Sequence, residues 1–240
     1  MSATANRTNW VMPAVILAMV LPLASSLFYF VWFSGSPLAK AIYSGTKVFT
    51  LVWPFLVWHF FKGQIFRWRP EKADWVRWGR AVPLGVLSGV IIVGAMFLLL
   101  RSGPMADMVN QAGPEIRKKT VEMGVLKYFW VFAVFLSVFH AMIEEIFWRW
   151  FVFGELREKL SLPMAYLLGA VSFAAHHIVV TTQFFPLAWG ILLGALVGVG
   201  GLIFSWLYHR QQTLAGAWIS HMIVDFGLMA VGYRLIMAAA

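Results

Sequence analysis

The chain alternates long apolar windows with short polar connections that are rich in Lys and Arg. A helix needs about 20 apolar residues to cross the hydrocarbon core of a bilayer, and windows of that length recur along the whole chain. We predict spans at residues 10–33, 41–61, 81–100, 128–153, 163–180, 187–208 and 214–236. The predicted fold class is therefore all-α, a polytopic transmembrane helical bundle of about seven to eight spans.

Two polar connections differ from ordinary loops. Residues 62–80 alternate Lys and Arg with Trp68, Trp75 and Trp78, a mixture typical of an interfacial anchor whose indoles lie among lipid headgroups. Residues 101–127 form the longest polar connection and contain Gly103-Pro104 and Gly113-Pro114, which interrupt helices. We expect a solvated linker there, and the alternative is a lid that gates access of a substrate.

Composition places the chain among membrane proteins, because 61% of its 240 residues are hydrophobic and only 12% are charged. We expect a single integral-membrane domain, with N-terminal helices and loops in residues 1–127 and a helical core in residues 128–236. The net charge of +9 comes mainly from connections that face anionic headgroups, so we expect membrane lipids and no nucleic acid as partners. The absence of cysteine excludes a thiolate nucleophile.

Orientation rests on the basic residues of the connections. Those on the side of the N-terminus, among them Arg7, Arg67 and Arg69, slightly outnumber those on the opposite side. The positive-inside rule then gives a cytoplasmic N-terminus in an inner or plasma membrane.

Glycines are spaced for close helix packing at two places. Gly190, Gly194 and Gly198 recur every four residues, and Gly85 and Gly89 repeat that spacing. Small residues on one face allow neighbouring backbones to approach closely, so we expect helix contacts there rather than chemistry.

The candidate chemistry begins with charges inside an apolar window. Glu144, Glu145 and Arg149 lie in residues 141–153, and each charge at the centre of a membrane helix costs about 2.5 to 3.5 kcal/mol. Residues four apart share a helix face, so Glu145 and Arg149 are expected to pair, whereas Glu144 is turned by about 100 degrees. Glu145 then remains ionised beside Arg149, and Glu144 is the candidate general base.

Two later spans carry further ionisable groups. His177 follows Phe173 by one turn on the fifth predicted span, and Asp225 follows His221 by one turn on the seventh. Glu144 lies about 24 Å before Leu160 and His177 about 21 Å beyond Pro163, so these two can meet, whereas His221 comes only about 12 Å after Thr213 and needs tilt or an earlier helix start to reach them. We therefore expect a water-filled cavity between the fourth, fifth and seventh spans.

Two other histidines are secondary candidates. His140 lies one turn before Glu144 on the same face and is expected to tune it or to pack beside it. His176 is turned about 100 degrees from His177, so we expect it outside the pocket.

The motifs Glu-Glu-x-x-x-Arg, Phe-x-x-x-His and His-x-x-x-Asp, in this order, resemble the CPBP (CAAX-processing and bacteriocin-processing, or Abi) family of intramembrane proteases over roughly residues 128–233. The resemblance implies an endopeptidase in which Glu144 and His177 activate water and Glu145 and Arg149 hold the site. His221 and the residue at position 225 would stabilise the oxyanion. That residue is Asp225 here, where the family has Asn. An ionised carboxylate cannot donate a hydrogen bond, so we expect Asp225 to orient His221 or to accept a metal.

Cofactor, substrate and activity class remain open at the level of sequence. Glu144, His177 and His221 are the ligand types of a zinc site, yet the same trio can work without metal, and we favour no obligatory metal. The substrate is expected to be a membrane-associated or lipidated peptide or protein, and the sequence does not say whether its C-terminus is processed. Rival interpretations are a proton-coupled transporter and a non-catalytic bacteriocin-immunity or scaffold relative.

Overall fold

The computed structural model describes residues 10–63 and 71–240, and this part of the chain is almost entirely helical. The all-α prediction is confirmed. The helices are α1 (Val11–Leu27, continued by a π-helical turn Phe28–Trp32), α2 (Pro37–Phe61), α3 (Lys72–Leu99), α4 (Pro104–Gln111), α5 (Gly113–Glu122), α6 (Leu126–Lys159), α7 (Leu162–Thr181), α8 (Leu187–Gln211) and α9 (Ala215–Ala238).

Six of the described helices are long and apolar enough to cross a membrane: α1, α3, α6, α7, α8 and α9. Helix α2 forms at the second predicted span and has 25 residues, but it is not among the six. Lys40, Lys47 and His59 reduce its apolar content. The sequence estimate of about seven spans is therefore close, with α2 as the helix that makes the difference.

Local signals fix where two helices begin. The Ser36 hydroxyl accepts a hydrogen bond from the Ala39 amide at 3.1 Å, and Pro37 follows in the first turn of α2. The Asp74 carboxylate accepts one from the Glu71 amide at 2.9 Å, so α3 begins at Lys72.

Because α3 begins at Lys72, residues 72–80 belong to a helix and not to a connection between helices. Trp75 and Trp78 lie in the first turns of α3 rather than in a separate interfacial segment. Trp68, Arg67, Arg69 and Arg7 lie outside the described residues, so the interfacial anchor around Trp68 and the orientation of the N-terminus stay predictions.

Residues 101–127 are not the solvated linker that the sequence predicts. They contain the two short helices α4 and α5, whose apolar side chains pack against α9. Met108 and Val109 share a buried cluster with Val231 and Leu235. Arg117 Nη1 donates to the backbone carbonyl of Ile236 at 3.2 Å. The glycines and prolines mark the starts of α4 and α5, and the apolar residues between them bury enough surface to hold the segment against the bundle.

The predicted glycine contacts are present. Helices α7 and α8 pack closely along the face that carries Gly190, Gly194 and Gly198. A Cβ added to Gly194 would lie 2.6 Å from the Ile178 Cα, and one added to Gly85 would lie 2.9 Å from the Gly216 Cα. Backbone therefore meets backbone at both places, between α7 and α8 and between α3 and α9.

One buried cluster joins the first helices to the later ones. Val11 and Val15 of α1 and Val57 of α2 pack with aromatic residues of α6 such as Phe147 and Phe151. The part of α6 that follows Glu145 therefore packs against α1 and α2. The division at residues 127 and 128 stays a prediction.

Substitution of Gly194 by alanine is expected to destabilise the protein by about 1 to 3 kcal/mol, because the added methyl group forces α7 and α8 apart. Gly200→Ala on the same helix is the matched control, since its Cβ would come no closer than 3.9 Å to the Phe204 ring. Thermal unfolding of both variants in detergent measures the difference. Equal midpoints would contradict the close α7–α8 contact.

Candidate active site

The two glutamates lie in a short α-helical part of α6, Ala141–Glu145. π-Helical segments flank it on both sides, Phe135–His140 and Ile146–Phe153. A π-helical segment replaces the i→i+4 hydrogen bonds with i→i+5 bonds, and such segments are frequent at functional sites because they change which residues face inward. The charged residues of α6 are thus presented by a helix that departs from regular geometry on both sides of them.

The expected pair of Glu145 and Arg149 is formed and completely enclosed. Arg149 Nη1 lies 3.0 Å from Glu145 Oε1, and the two side chains are 1% and 0% exposed. Arg149 Nη2 donates to the backbone carbonyl of Gly201 at 3.3 Å. The guanidinium carbon lies 4.4 Å from the centre of the Phe173 ring and 5.1 Å from that of Phe204. The cation is therefore compensated by a carboxylate, a carbonyl and two aromatic faces.

His221 joins this network despite its short distance along α9. Its Nδ1 lies 2.7 Å from Glu145 Oε1, and its ring stacks on Phe204 with centroids 4.8 Å apart. Its Nε2 lies 3.8 Å from Glu144 Oε2 and 3.6 Å from Asp225 Oδ1. Glu145 therefore accepts the hydrogen bond that orients His221, whereas the sequence analysis expected Asp225 to orient His221 or to accept a metal.

Glu144 and His177 face one another across α6 and α7. Glu144 Oε1 lies 3.3 Å from His140 Nε2, so His140 contacts the candidate base directly. His177 Nδ1 lies 2.8 Å from the Phe173 carbonyl oxygen. Because a carbonyl can only accept, Nδ1 carries the proton, and a neutral His177 keeps an unprotonated Nε2 that can accept a proton or bind a metal.

His176 lies at the site, which the helical rotation from His177 did not lead us to expect. Glu144, His176 and His177 each offer a ligand atom, and these atoms lie within 4.8 Å of one another. The His176 ring stacks on Trp148, with centroids 5.5 Å apart and an interplanar angle of 7°. The sequence analysis named Glu144, His177 and His221 as possible metal ligands. In the structure, the group whose ligand atoms lie within 4.8 Å of one another contains His176 in place of His221.

A small cavity adjoins Glu144. Its volume is about 30 Å³, and about 10 to 15 Å³ is enough for one water molecule. His140, Glu144, Phe147, Trp148 and His176 line it from α6 and α7. The remaining lining comes from α1 and α2, with Pro22, Ser25, Ser26, Tyr43, Thr46, Lys47 and Thr50. The sequence analysis placed the cavity between the fourth, fifth and seventh predicted spans. Helices α6 and α7, the fourth and fifth of these spans, do line it, but α9, the seventh, contributes no lining residue, and α1 and α2 take its place.

Three of the missed residues, Ser25, Thr46 and Lys47, carry polar groups and line the same cavity as Glu144. Thr46 Oγ1 donates to Ser25 Oγ at 2.8 Å, which ties α2 to α1 beside the cavity. Lys47 adds a positive charge to the lining. Lys47 could have been found in the sequence, because a charge inside the apolar window 41–61 is the same signal that singled out Glu144. Nothing in the sequence distinguishes Ser25 and Thr46 from other small polar residues of membrane helices.

Arg149→Ala is expected to lower the free energy of unfolding by about 3 to 5 kcal/mol, since it leaves Glu145 buried without its cation. Accumulation in membranes should fall accordingly. Lys159→Ala, an exposed cation at the end of the same helix, is the control. Immunoblots of membrane fractions and thermal unfolding of purified samples provide the measurement, and wild-type abundance of Arg149→Ala would show that the pair is dispensable.

Comparison with known proteins gives one match. Residues 126–227 match the family model described as "Rce1-like: Type II CAAX prenyl endopeptidase Rce1-like". No curated protein and no solved structure matches the chain. The matched segment contains all six predicted site residues, Glu144, Glu145, Arg149, His177, His221 and Asp225. The resemblance to CAAX-type intramembrane proteases is thereby confirmed for residues 126–227. Within residues 10–63 and 71–240, six helices are long and apolar enough to span a membrane, so the chain is an integral membrane protein.

Proposed function

We propose that the chain is an intramembrane endopeptidase that hydrolyses a peptide bond of a membrane-associated or lipidated protein or peptide. The observation that supports this most directly is the approach of Glu144 and His177 within 4.8 Å, and Glu144 also lines a cavity large enough for water. The match to CAAX-type proteases supports the same reaction class.

Water activation is the first step of the proposed reaction. Glu144 takes one proton of a water molecule, and the unprotonated Nε2 of His177 accepts a hydrogen bond from the other. The water oxygen attacks the carbonyl carbon of the substrate and forms a tetrahedral intermediate. Glu144 then returns the proton to the leaving amine, so that one water is consumed and two peptides are released.

In the proposed reaction, His221 stabilises the negative oxygen of the tetrahedral intermediate. A protonated His221 donates through both ring nitrogens, with Nδ1 held by Glu145 and Nε2 on the side of Glu144. An ionised Asp225 cannot donate, and its carboxylate lies 3.6 Å from Nε2, where it supports positive charge on the imidazole. Glu145 and Arg149 act as positioning residues, because they hold His221 without facing the water themselves.

A metal-dependent version of the reaction uses overlapping residues. Glu144, His176 and His177 have the donor atoms of a two-histidine, one-carboxylate zinc site, so the residues fit such an ion. A zinc ion bound there would supply Lewis-acid polarisation of a bound water or carbonyl. We favour the metal-free reaction, because Glu144 is then available as the base, whereas Glu145 is engaged by Arg149 and His221.

The clustering of ionisable groups also bears on the rival functions. A proton-coupled transporter would distribute such groups along the thickness of the membrane. Here Glu144, Glu145, Arg149 and His221 belong to one local network. A complete set of hydrolytic groups likewise favours a protease over a bacteriocin-immunity or scaffold protein.

We infer further that membrane lipids surround the bundle, since only 12% of the residues of the chain are charged, and that the substrate reaches the site from the membrane. The proposed location is an inner or plasma membrane with a cytoplasmic N-terminus. Processing of a prenylated C-terminus is one form of the reaction, and cleavage of another lipidated or membrane-bound peptide is the other.

Glu144→Gln is expected to leave the protein folded and to reduce hydrolysis by about 100-fold or more, because the amide cannot take a proton from water. Glu122→Gln, an exposed change on α5, is the control. Mass spectrometry of membrane and secreted peptides from cells that carry each form would reveal a precursor that accumulates only with Glu144→Gln.

That precursor, synthesised as a peptide with and without its lipid, then serves as the substrate for the purified proteins. Cleavage by a folded, metal-free Glu144→Gln sample at the wild-type rate would remove Glu144 from the mechanism.

A further inference from the structure

The His176 ring is fixed in position, but its Nδ1 has no hydrogen-bond partner of good geometry among the described residues. Trp148 holds the ring flat, and Nδ1 is buried without a hydrogen bond of good geometry, although the backbone of Ser172 lies nearby. A buried polar atom without a partner costs about 1 to 3 kcal/mol. A ring nitrogen of His176 lies within 4.8 Å of ligand atoms of Glu144 and His177, so an ion held by these three groups would give the imidazole a partner beyond the described residues.

His177 has the arrangement common to metal-binding histidines. Its Nδ1 donates to the Phe173 carbonyl, which fixes the ring and leaves Nε2 for a ligand. Histidine ligands usually donate their other ring nitrogen to a carbonyl or carboxylate in this way. His221 likewise has its Nδ1 on a carboxylate, that of Glu145, but it does not belong to the group of described residues whose ligand atoms lie within 4.8 Å of one another.

Distance and space also suit a single ion. Ligand atoms around a tetrahedral zinc lie about 3.3 Å apart, given bonds of about 2.0 to 2.1 Å. The atoms of Glu144, His176 and His177 lie within 4.8 Å, so rotations that move them by about 1.5 Å would close the site. Two nitrogens and one carboxylate oxygen favour Zn²⁺ and similar ions over Mg²⁺ or Ca²⁺. The adjoining cavity of about 30 Å³ leaves room for a water.

We propose that Glu144, His176 and His177 bind one divalent transition-metal ion and that this ion inhibits the enzyme. The inhibitory part rests on the proposed function, since the ion takes the lone pairs of Glu144 and His177 that water activation requires. Glu145 cannot replace Glu144 as the base, because it contacts Arg149 and His221. Asp225 lies 3.6 Å from His221 Nε2, the nitrogen that also faces Glu144 at 3.8 Å, and its carboxylate supports positive charge on that imidazole.

Co²⁺ is the probe for binding. The full-length protein, purified in detergent and treated with EDTA, is titrated with CoCl₂ while visible absorption is recorded. We expect bands of four- or five-coordinate cobalt that saturate at one ion per chain and disappear when Zn²⁺ is added. His176→Phe keeps an aromatic ring against Trp148 and removes the nitrogen ligands, so its affinity should fall at least about tenfold.

His59→Phe is the matched control, because it removes an exposed histidine from α2 that does not line the cavity. It should bind Co²⁺ as the wild type does. Thermal unfolding of both variants establishes that they are folded. Absence of the cobalt bands in the wild type, or equal affinity in His176→Phe, would overturn the binding site.

Cleavage assays test inhibition. Each protein is assayed after EDTA treatment and then with increasing ZnCl₂, and each rate is divided by that protein's own metal-free rate. Zinc should abolish wild-type cleavage, and the inhibitory concentration for His176→Phe should be at least about tenfold higher. If EDTA removes activity and Zn²⁺ restores it, the ion is a catalyst and the inhibitory proposal is wrong.

Different results would overturn the inhibitory metal site and the proposed endopeptidase function. Cobalt binding that depends on His176, in a protein that cleaves no peptide with or without metal, would support the binding site and overturn the proposed endopeptidase. Cleavage by metal-free protein that zinc does not affect would support the endopeptidase and overturn inhibition.

Discussion

A buried guanidinium organises this protein. Moving a single charge out of water costs several kcal/mol even after relaxation, so Arg149 requires compensation from every side. Glu145 comes from the same helix, the Gly201 carbonyl from α8, and the rings of Phe173 and Phe204 from α7 and α8. A side chain at Gly201 would meet the Phe173 ring at 2.8 Å and the guanidinium at 3.2 Å, so the backbone must be bare there. One cation thus fixes the relative position of three helices.

The Glu145–Arg149 pair gives the two adjacent glutamates different roles. Glu145 has a structural role, because its carboxylate contacts both Arg149 and His221 and is shielded from solvent. Glu144 is left with histidines on three sides and a cavity beside it. A carboxylate that must exchange protons needs access to water, whereas a carboxylate that positions others benefits from isolation. Adjacent positions on one helix provide both environments.

The sequence predicted those features that depend on helical period and hydropathy. The helices, the Glu145–Arg149 pair and the glycine contacts follow from spacing along one helix. The involvement of His176 does not follow from spacing along one helix. A helical wheel gives the angle between His176 and His177, but not the position of Trp148 and Glu144 on the opposing helix. His221 reaches Glu145 for the same kind of reason, since the crossing of α6 and α9 sets their meeting point. The packing of α4 and α5 was missed because their few apolar residues are too short a pattern to reveal a partner.

The cavity wall formed by α1 and α2 lies outside residues 126–227, the segment with a recognisable family signature. Under the proposed function, the reacting groups and this part of the cavity wall are therefore encoded in different stretches of the chain. Thr46, Lys47 and Thr50 can change in size or charge without disturbing the Arg149 network, with which they make no contact among the described interactions. Evolution can accordingly redirect such an enzyme toward new targets by altering its first two helices while the chemistry is inherited intact.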